Sequence, residues 1–232
     1  MTIKKAMILA AGLGKRMLPL TTKTPKPLIK IGPKNLLERS IELLIKIGID
    51  EIIINTHHLS KEIDNFLGNK NYQISISTIK EEVLLNTGGG ILNATKNYKD
   101  EPFFVLNPDT IWNKNYYEEL KILENSYLKN NKPILLLVNK INSYDKSFEG
   151  DFNLIENNRI IREVSNQYIF TGAQIISRSI FENLHEKFLS MNLIWDNLIK
   201  EKKLLGQESS QTFFHVNNFK VYEQLNKLKF ID

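Results

Sequence analysis

The sequence predicts one α/β domain over residues 1–232, with a Rossmann-like, mainly parallel sheet and helices on both of its faces. Apolar segments of strand length alternate with segments of helical periodicity through the first half of the chain. The length of 232 residues, with 42% hydrophobic and 25% charged residues, suits one domain with a substantial core. No linker, repeat or low-complexity tract divides the sequence.

The first half of the chain supplies the alternating elements. Strands are predicted at 3–10, 51–55, 72–79, 102–106 and 134–138. Helices are predicted at 35–47, 59–67, 90–98 and 115–129, the first two ending before Gly48 and Gly68. Strands that are separated by helices favour parallel pairing, so these segments predict the parallel sheet.

The second half departs from this alternation. Strands at 151–156 and 159–164 flank Asn157 and Asn158 and predict a hairpin. A strand at 168–176, helices at 179–189 and 192–202, a strand at 212–216 and a helix from about Phe219 follow. We expect this half to build the acceptor side of a single cleft.

The most informative segment is residues 7–27. Its apolar beginning predicts the end of a buried strand, which turns at Gly12 and Gly14 directly before Lys15 and Arg16. Glycines let the backbone approach a ligand with its N–H groups, and clustered cations suit an anion. The segment therefore predicts a cradle for a polyphosphate, and the alternative is an ordinary strand-to-helix turn.

The segment differs from two common glycine-rich loops. A P-loop needs Ser or Thr after its lysine, and none follows Lys15; a dinucleotide fingerprint needs a third glycine where Met17 stands. Further along, Lys26 lies between Pro25 and Pro27, which restrict its backbone. We expect Lys26 to be held rigidly.

Two later blocks lie at predicted strand ends. Residues 84–90 contain three consecutive glycines, expected to form a loop whose backbone contacts a flat base; a flexible turn is the alternative. Residues 103–112 form a buried strand that brings Asp109 to its carboxyl end, where open α/β sheets bind ligands. A helix N-cap is the alternative role for Asp109.

These motifs resemble the sugar-1-phosphate nucleotidyltransferases. The resemblance rests on Leu-Ala-Ala-Gly-x-Gly-x-Arg-Met at residues 9–17, on the Pro-Leu-Thr and Pro-Lys-Pro that follow, and on residues 87–90 and 107–109. It extends over the whole chain and is strongest to the N-acetylmuramate-α-1-phosphate uridylyltransferase subgroup. It implies a nucleotide-diphospho-sugar transferase type of fold.

The resemblance also implies a reaction and its residues. A nucleoside triphosphate, UTP first, would react with a sugar 1-phosphate, N-acetylmuramate α-1-phosphate first, giving an NDP-sugar and pyrophosphate in cell-wall sugar recycling. The implied catalytic residues are Arg16, Lys26 and Asp109, and the implied ligands of Mg²⁺ are Asp109 and Asn217. The implied nucleotide-binding residues are Ala10, Ala11, Gly12, Gly14, Lys15, Leu85, Thr87 and Gly88. The implied sugar-binding residues are Asn107, Gly150, Asp151, Glu163, Thr171 and Gly172, although a hairpin with solvated acids is an equal alternative for 150–172.

The chain departs from the pattern of this family at two positions. Many relatives carry a second metal-binding acid in an Asp-Val-Gly-Thr turn, where this chain has His215-Val-Asn217-Asn. Leu18 stands where many relatives have a second arginine. Both changes remove charge from the expected site, which keeps open a catalytically silent nucleotide-sugar-binding relative. A mannose- or glucose-1-phosphate nucleotidyltransferase is the other alternative.

Composition excludes several function classes. The absence of cysteine excludes disulfides, thiolate metal sites and cysteine nucleophiles. No apolar run approaches the length of a bilayer span, and no signal peptide is recognised, so we expect a cytoplasmic location and no membrane partner. The net charge of +5 is scattered rather than clustered, so a nucleic-acid partner is not expected and an RNA-binding module is the least favoured alternative. The sequence leaves the base, the sugar and the oligomeric state open.

Overall fold

One sheet of nine strands runs through the part of the chain that the computed structural model describes, residues 2–182, 184 and 187–228. The strands are β1 (Lys5–Leu9), β2 (Lys30–Ile31), β3 (Lys34–Asn35), β4 (Glu51–Thr56), β5 (Ser75–Lys80), β6 (Phe103–Leu106), β7 (Ile134–Asn139), β8 (Asn153–Ile155), β9 (Arg159–Ile161), β10 (Tyr168–Ile176) and β11 (Leu205–Ser209). The order in the sheet is β5-β4-β1-β6-β10-β7-β11-β9-β8, and β2 pairs with β3 separately. Within the sheet all strands except β9 and β10 run in the same direction, which confirms the mainly parallel prediction.

Helices cover both faces of this sheet, as predicted. They are α1 (Leu36–Ile47), α2 (Ser60–Gly68), α3 (Asn86–Ala94), α4 (Tyr116–Asn130), α5 (Met191–Lys200) and α6 (Phe219–Asn226). The helices α1, α2 and α4 pack on one face, and α3 and α5 pack on the other. In β1, Ala6 and Ile8 face the first layer while Met7 faces the second, because successive side chains of a strand alternate. Among the described residues, no helix has both the length and the apolar character required to cross a membrane.

Local sequence explains the ends of α1. The side chain of Asn35 accepts a hydrogen bond from the Glu38 N–H at 2.7 Å and caps the first turn. The helix ends at Gly48, whose φ of +99° suits glycine. The predicted helix at 35–47 is therefore confirmed.

Two predicted elements are wrong, and the bounds of a third are displaced. The predicted strand at 212–216 forms only isolated bridges through Phe213 and His215, and β11, with few apolar residues, fills the sheet position beside β7. The predicted helix at 179–189 contains only a 3₁₀ turn at Arg178–Phe181 in its described part, and residues 183, 185 and 186 lie outside the described residues. The predicted helix at 90–98 begins earlier, at Asn86, so the three glycines lie in a helix and not in a loop.

Close packing explains why three glycines occur in α3. A Cβ on Gly89 would lie 2.2 Å from the Lys187 carbonyl oxygen, and a Cβ on Gly88 would lie 3.0 Å from that of Leu189. The Gly89 N–H also donates to the Leu189 carbonyl at 2.9 Å, so the two backbones are in direct contact. Gly88 and Gly89 therefore allow the segment before α5 to dock on α3, which outweighs their low helix propensity.

We predict that Gly89→Ala destabilises the protein by about 1 to 3 kcal/mol, because the new methyl group must displace backbone. Gly68→Ala is the matched control, since a Cβ there would meet no atom within 4 Å. Urea unfolding measures both. A Gly89→Ala variant as stable as the Gly68→Ala variant would contradict the packing explanation.

Candidate active site

A cavity of about 500 Å³ lies where β1, β4, β5 and β6 end. These strands are parallel, so their carboxyl ends meet at one edge of the sheet, where open α/β sheets bind ligands. The predicted site residues that line the cavity are Ala10, Ala11, Gly12, Gly14, Lys15, Arg16, Lys26, Thr87, Asn107, Asp109 and Asn217. The structure thus brings together residues that are far apart in the sequence.

The glycine-rich loop presents backbone N–H groups to this cavity. A Cβ on Gly12 would meet no atom within 4 Å, whereas Gly14 has a φ of +62° and would place a Cβ 2.8 Å from Thr21. Among the described residues, the N–H groups of Gly12 and Gly14 have no hydrogen-bond partner. Lys15 and Arg16 are exposed and form no ion pair with the described residues. Free N–H groups beside unpaired cations form an anion-binding surface.

Lys26 and Asp109 form an ion pair in the wall of the cavity. The distance from Lys26 Nζ to Asp109 Oδ2 is 2.6 Å, with side chains 15% and 21% exposed. Lys26 begins a 3₁₀ turn, Lys26–Leu28, closed by a hydrogen bond from the Leu28 N–H to the Pro25 carbonyl at 2.8 Å. His215 Nε2 lies 3.3 Å from the same Asp109 oxygen.

The surroundings of Asp109 favour its charged form. Burial by itself raises the pKa of this carboxyl, but its electrostatic interactions and hydrogen bonds with Lys26 and His215 lower that pKa and outweigh burial. The pKa of Asp109 is therefore held well below its usual value. Asp109 Oδ1 is buried and has no hydrogen-bond partner among the described residues, so this oxygen has an unused capacity to accept.

The predicted nucleotide-binding residues at the start of α3 partly serve to hold the segment around the start of α5 against α3. Thr87 lines the cavity, but its Oγ1 also accepts a hydrogen bond from the Met191 N–H at 2.9 Å. The Leu85 carbonyl accepts from the Leu189 N–H at 3.1 Å. Neither Leu85 nor Gly88 is among the residues that line the cavity.

Thr171 and Gly172 support the turn that carries Asp109. The Gly172 carbonyl accepts from the Asn107 N–H at 2.8 Å, and the Thr171 carbonyl accepts from Thr110 Oγ1 at 2.5 Å. Gly172 has a φ of +94°, and a Cβ there would lie 2.9 Å from Asn107 Cβ. Of these residues only Asn107 and Asp109 line the cavity.

The other predicted sugar-binding residues lie in the β8–β9 hairpin region. Asp151 Oδ2 accepts from the Phe170 N–H at 2.8 Å, and Glu163 Oε2 accepts from Asn153 Nδ2 at 2.7 Å. Gly150 has a φ of +92°. None of Gly150, Asp151 and Glu163 lines the cavity, and their sugar-binding roles stay predictions.

Comparison with known proteins identifies the family. The model of the family described as nucleotidyl transferase matches residues 5–141, a segment that contains the glycine-rich loop, Lys26 and Asp109. The chain belongs to this nucleotidyl transferase family. It is a sugar-1-phosphate nucleotidyltransferase.

Curated relatives and solved structures agree with this membership. The chain is 32% identical over 184 residues to the N-acetylmuramate alpha-1-phosphate uridylyltransferase of Neisseria meningitidis serogroup B, covering 78% of each chain. It is 28% identical over 220 residues to the D-glycero-alpha-D-manno-heptose 1-phosphate guanylyltransferase of Aneurinibacillus thermoaerophilus, covering 91% of this chain and 92% of that one. The structure of a UDP-glucose pyrophosphorylase complexed with UDP-glucose matches with a TM-score of 0.79 at 17% identity, covering 97% of both chains. That likeness shows the shared fold.

The second predicted metal ligand of this nucleotidyltransferase lies next to another carboxylate. Asn217 Nδ2 donates to Asp145 Oδ2 at 3.0 Å, and Asn217 Oδ1 accepts from Asn218 Nδ2 at 2.5 Å. His215, which begins the turn that departs from the family pattern, pairs with Asp109, and its ring stacks on that of Phe213 with 5.6 Å between the ring centroids. Within the described residues no group of three or more His, Cys, Asp or Glu residues could hold a metal ion. Mg²⁺, which accepts one or two carboxylates together with phosphate and water, fits this sparse donor set.

Sequence reasoning missed two buried polar residues of the cavity wall. Asn55 and Glu81 line the cavity and are only 2% and 3% exposed. Both lie at the carboxyl ends of strands, so the rule that singled out Asp109 could have found them. Phe188, which also lines the cavity, lies inside the helix predicted at 179–189 and gave no such signal.

We predict that the stability difference between the unchanged chain and Asp109→Asn depends on pH. Because the pKa of Asp109 is lowered on folding, its charged form stabilises the fold above the unfolded-state value near 3.9, and this contribution is lost as pH falls through the folded-state pKa. The difference should be about 1 to 3 kcal/mol at pH 7 and shrink below about pH 4.

Urea unfolding at several pH values measures this difference. Glu82→Gln is the control, since Glu82 pairs with Lys80 in an exposed position and should show no comparable change. A difference for Asp109→Asn that is constant from pH 7 to pH 3 would contradict the assignment.

Proposed function

We propose that this nucleotidyltransferase transfers the uridylyl group of UTP to N-acetylmuramate α-1-phosphate, giving the UDP-sugar and pyrophosphate in cell-wall sugar recycling in the cytoplasm. The reaction class is supported by one observation: Lys26, Asp109 and the loop that contains Arg16 all line the same cavity. The choice of substrates is supported by the 32% identity to the Neisseria meningitidis enzyme.

The proposed reaction needs little covalent help from the protein. A phosphate oxygen of the sugar 1-phosphate forms a bond to the α-phosphorus, and the bond from that phosphorus to the β-phosphate oxygen breaks. The nucleophile is already an anion, so no general base is required. Since both substrates are anionic, the site must neutralise charge and align the reacting groups.

Arg16 and Lys26 each have a place in this scheme. Arg16 and the free N–H groups of Gly12 and Gly14 bind the β- and γ-phosphates, which leave as pyrophosphate. Lys26 bridges the attacking phosphate and the α-phosphate, so it must release Asp109 when the substrates bind. Released Asp109, with the carbonyl oxygen of Asn217, would hold Mg²⁺, which would supply further charge neutralisation at the triphosphate.

A guanylyl transfer is the second candidate. It is favoured by the likeness to the heptose 1-phosphate guanylyltransferase and by 38% identity over 110 residues to a mannose-1-phosphate guanylyltransferase subunit of Dictyostelium discoideum, of which the match covers 31%. A catalytically silent nucleotide-sugar-binding protein is the third, since His215 and Asn217 stand where many relatives place a second metal carboxylate.

A pyrophosphate-release assay separates these candidates. Each of UTP, GTP, dTTP, CTP and ATP is combined with the 1-phosphates of N-acetylmuramate, glucosamine, glucose, mannose and heptose in the presence of Mg²⁺. We expect the fastest release with UTP and N-acetylmuramate α-1-phosphate. Fastest release with GTP and heptose or mannose would establish the guanylyl candidate, and nucleotide binding without release from any pair would establish the silent one.

We predict that Lys26→Ala and Asp109→Ala each lower kcat on the order of 100-fold or more, because each removes charge stabilisation from the transition state. Lys23→Ala is the matched control for Lys26→Ala, since Lys23 is an exposed lysine in the same loop and does not line the cavity. Circular dichroism establishes that the variants are folded. Turnover near the unchanged value in either folded variant would exclude that residue from catalysis.

A further inference from the structure

A buried chain of hydrogen bonds joins the two walls of the cavity. The Ala10 N–H donates to Asn55 Oδ1 at 2.9 Å, and Asn55 Nδ2 donates to Glu81 Oε1 at 2.7 Å. The other oxygen of Glu81, Oε2, accepts from the Leu85 N–H at 3.0 Å. These hydrogen bonds therefore form a link from the glycine-rich loop at the end of β1 to the residue that precedes α3.

Both side chains of this link are fixed by their surroundings. Asn55 lies in β4, between β1 and β5, so its backbone is held by the sheet on both sides. The Glu81 N–H donates to the Thr56 carbonyl at 2.7 Å, and the Glu81 carbonyl lies 2.7 Å from His57 Nδ1. Because these two polar side chains are buried and held in this way, they restrict the positions of the Ala10 and Leu85 N–H groups that they bind.

The third glycine of α3 makes room for this link. A Cβ on Gly90 would lie 2.8 Å from Asn55 Nδ2 and 2.8 Å from Glu81 Oε1. The glycine thus brings the helix backbone against the two polar groups, unlike Gly88 and Gly89, which contact the segment before α5. The hydrogen-bond chain and the helix that follows it are packed as one unit.

We propose that Asn55 and Glu81 are positioning residues, which set the spacing between the glycine-rich loop and the start of α3 so that a nucleoside triphosphate fits between them. This inference rests on the proposed function, since it assigns the two walls to one nucleotide. The residues act through Ala10 and Leu85, and their own polar atoms are satisfied by each other and by those two N–H groups.

The polarity of the link supplies a specific test. In Glu81→Gln an amide faces the amide of Asn55, so one pair of donors is left in contact whichever way either amide turns. In Asn55→Asp two carboxylates face each other. In the double variant Asn55→Asp/Glu81→Gln the introduced amide donates to the introduced carboxylate, while Ala10 and Leu85 keep an acceptor each.

We expect each single variant to raise the KM for the nucleotide about tenfold or more, because relief of the mismatched buried contact moves Ala10 or Leu85 away from the position that fits the nucleotide. The change in kcat should be smaller, and the KM for the sugar 1-phosphate should stay constant. The double variant should return the nucleotide KM to within about threefold of the unchanged value. Direct nucleotide affinity, measured by calorimetry, should follow the same order.

Glu119→Gln is the matched control. Glu119 is 6% exposed and accepts hydrogen bonds from Ser210 and Gln211, but it does not line the cavity. Its variant should lose stability in urea without a change in nucleotide KM. That result distinguishes positioning from a general effect of disturbing a buried carboxylate.

Two outcomes would overturn the inference while the proposed function stands. Single variants with an unchanged nucleotide KM would show that the link is only structural. A double variant that regains stability but not nucleotide affinity would show that the Glu81 carboxylate contacts the nucleotide itself. If the unchanged chain neither binds a nucleotide nor releases pyrophosphate, the proposed function fails and the inference fails with it.

Discussion

The ion pair between Lys26 and Asp109 is the interaction on which the rest of the site depends. It joins the loop after β1 to the turn after β6, and it holds at 2.6 Å two groups with separate proposed tasks. Each charge stabilises the other in the cavity without ligand, so burying the pair costs less free energy than burying one of the two charges without its partner. A substrate phosphate can then replace Asp109 as the anion beside Lys26, and a metal ion can replace Lys26 as the cation beside Asp109. The proposed chemistry therefore amounts to an exchange of partners rather than the creation of new charges.

Sequence patterns predicted the parallel part of the fold because its strands and helices carry their periodicity locally. Met7 and its neighbours alternate between two buried faces, and α1 has both a cap and a terminal glycine. The elements that were wrong depend on distant partners. The strand β11 forms by pairing with β7. Residues 213–216 lie beside Asp109 because isolated bridges and backbone hydrogen bonds hold them there. Neither contact is encoded in the periodicity of the segments themselves.

The candidate site shows the same division. Gly12, Lys26 and Asp109 could be found because turns, prolines and strand ends mark them in the sequence, and all line the cavity. The glycines of α3 stand out in the sequence, but the loop that they predict is wrong. They allow close contact of α3 with residues 187–189 and with Asn55 and Glu81. Thr171 and Gly172 likewise support the Asp109 turn from a neighbouring strand. A residue type can show that space is needed, but only the fold shows what occupies that space.

Binding of Mn²⁺ to the nucleotide-free protein, followed by electron paramagnetic resonance, tests the exchange of partners most directly. If Lys26 occupies Asp109 until substrates arrive, Lys26→Ala should bind Mn²⁺ about tenfold or more tightly than the unchanged chain, since about 1.4 kcal/mol of released pairing corresponds to a factor of ten. The gain should vanish when Asp109→Ala is added. Equal Mn²⁺ affinity in the unchanged chain and in Lys26→Ala would contradict the account.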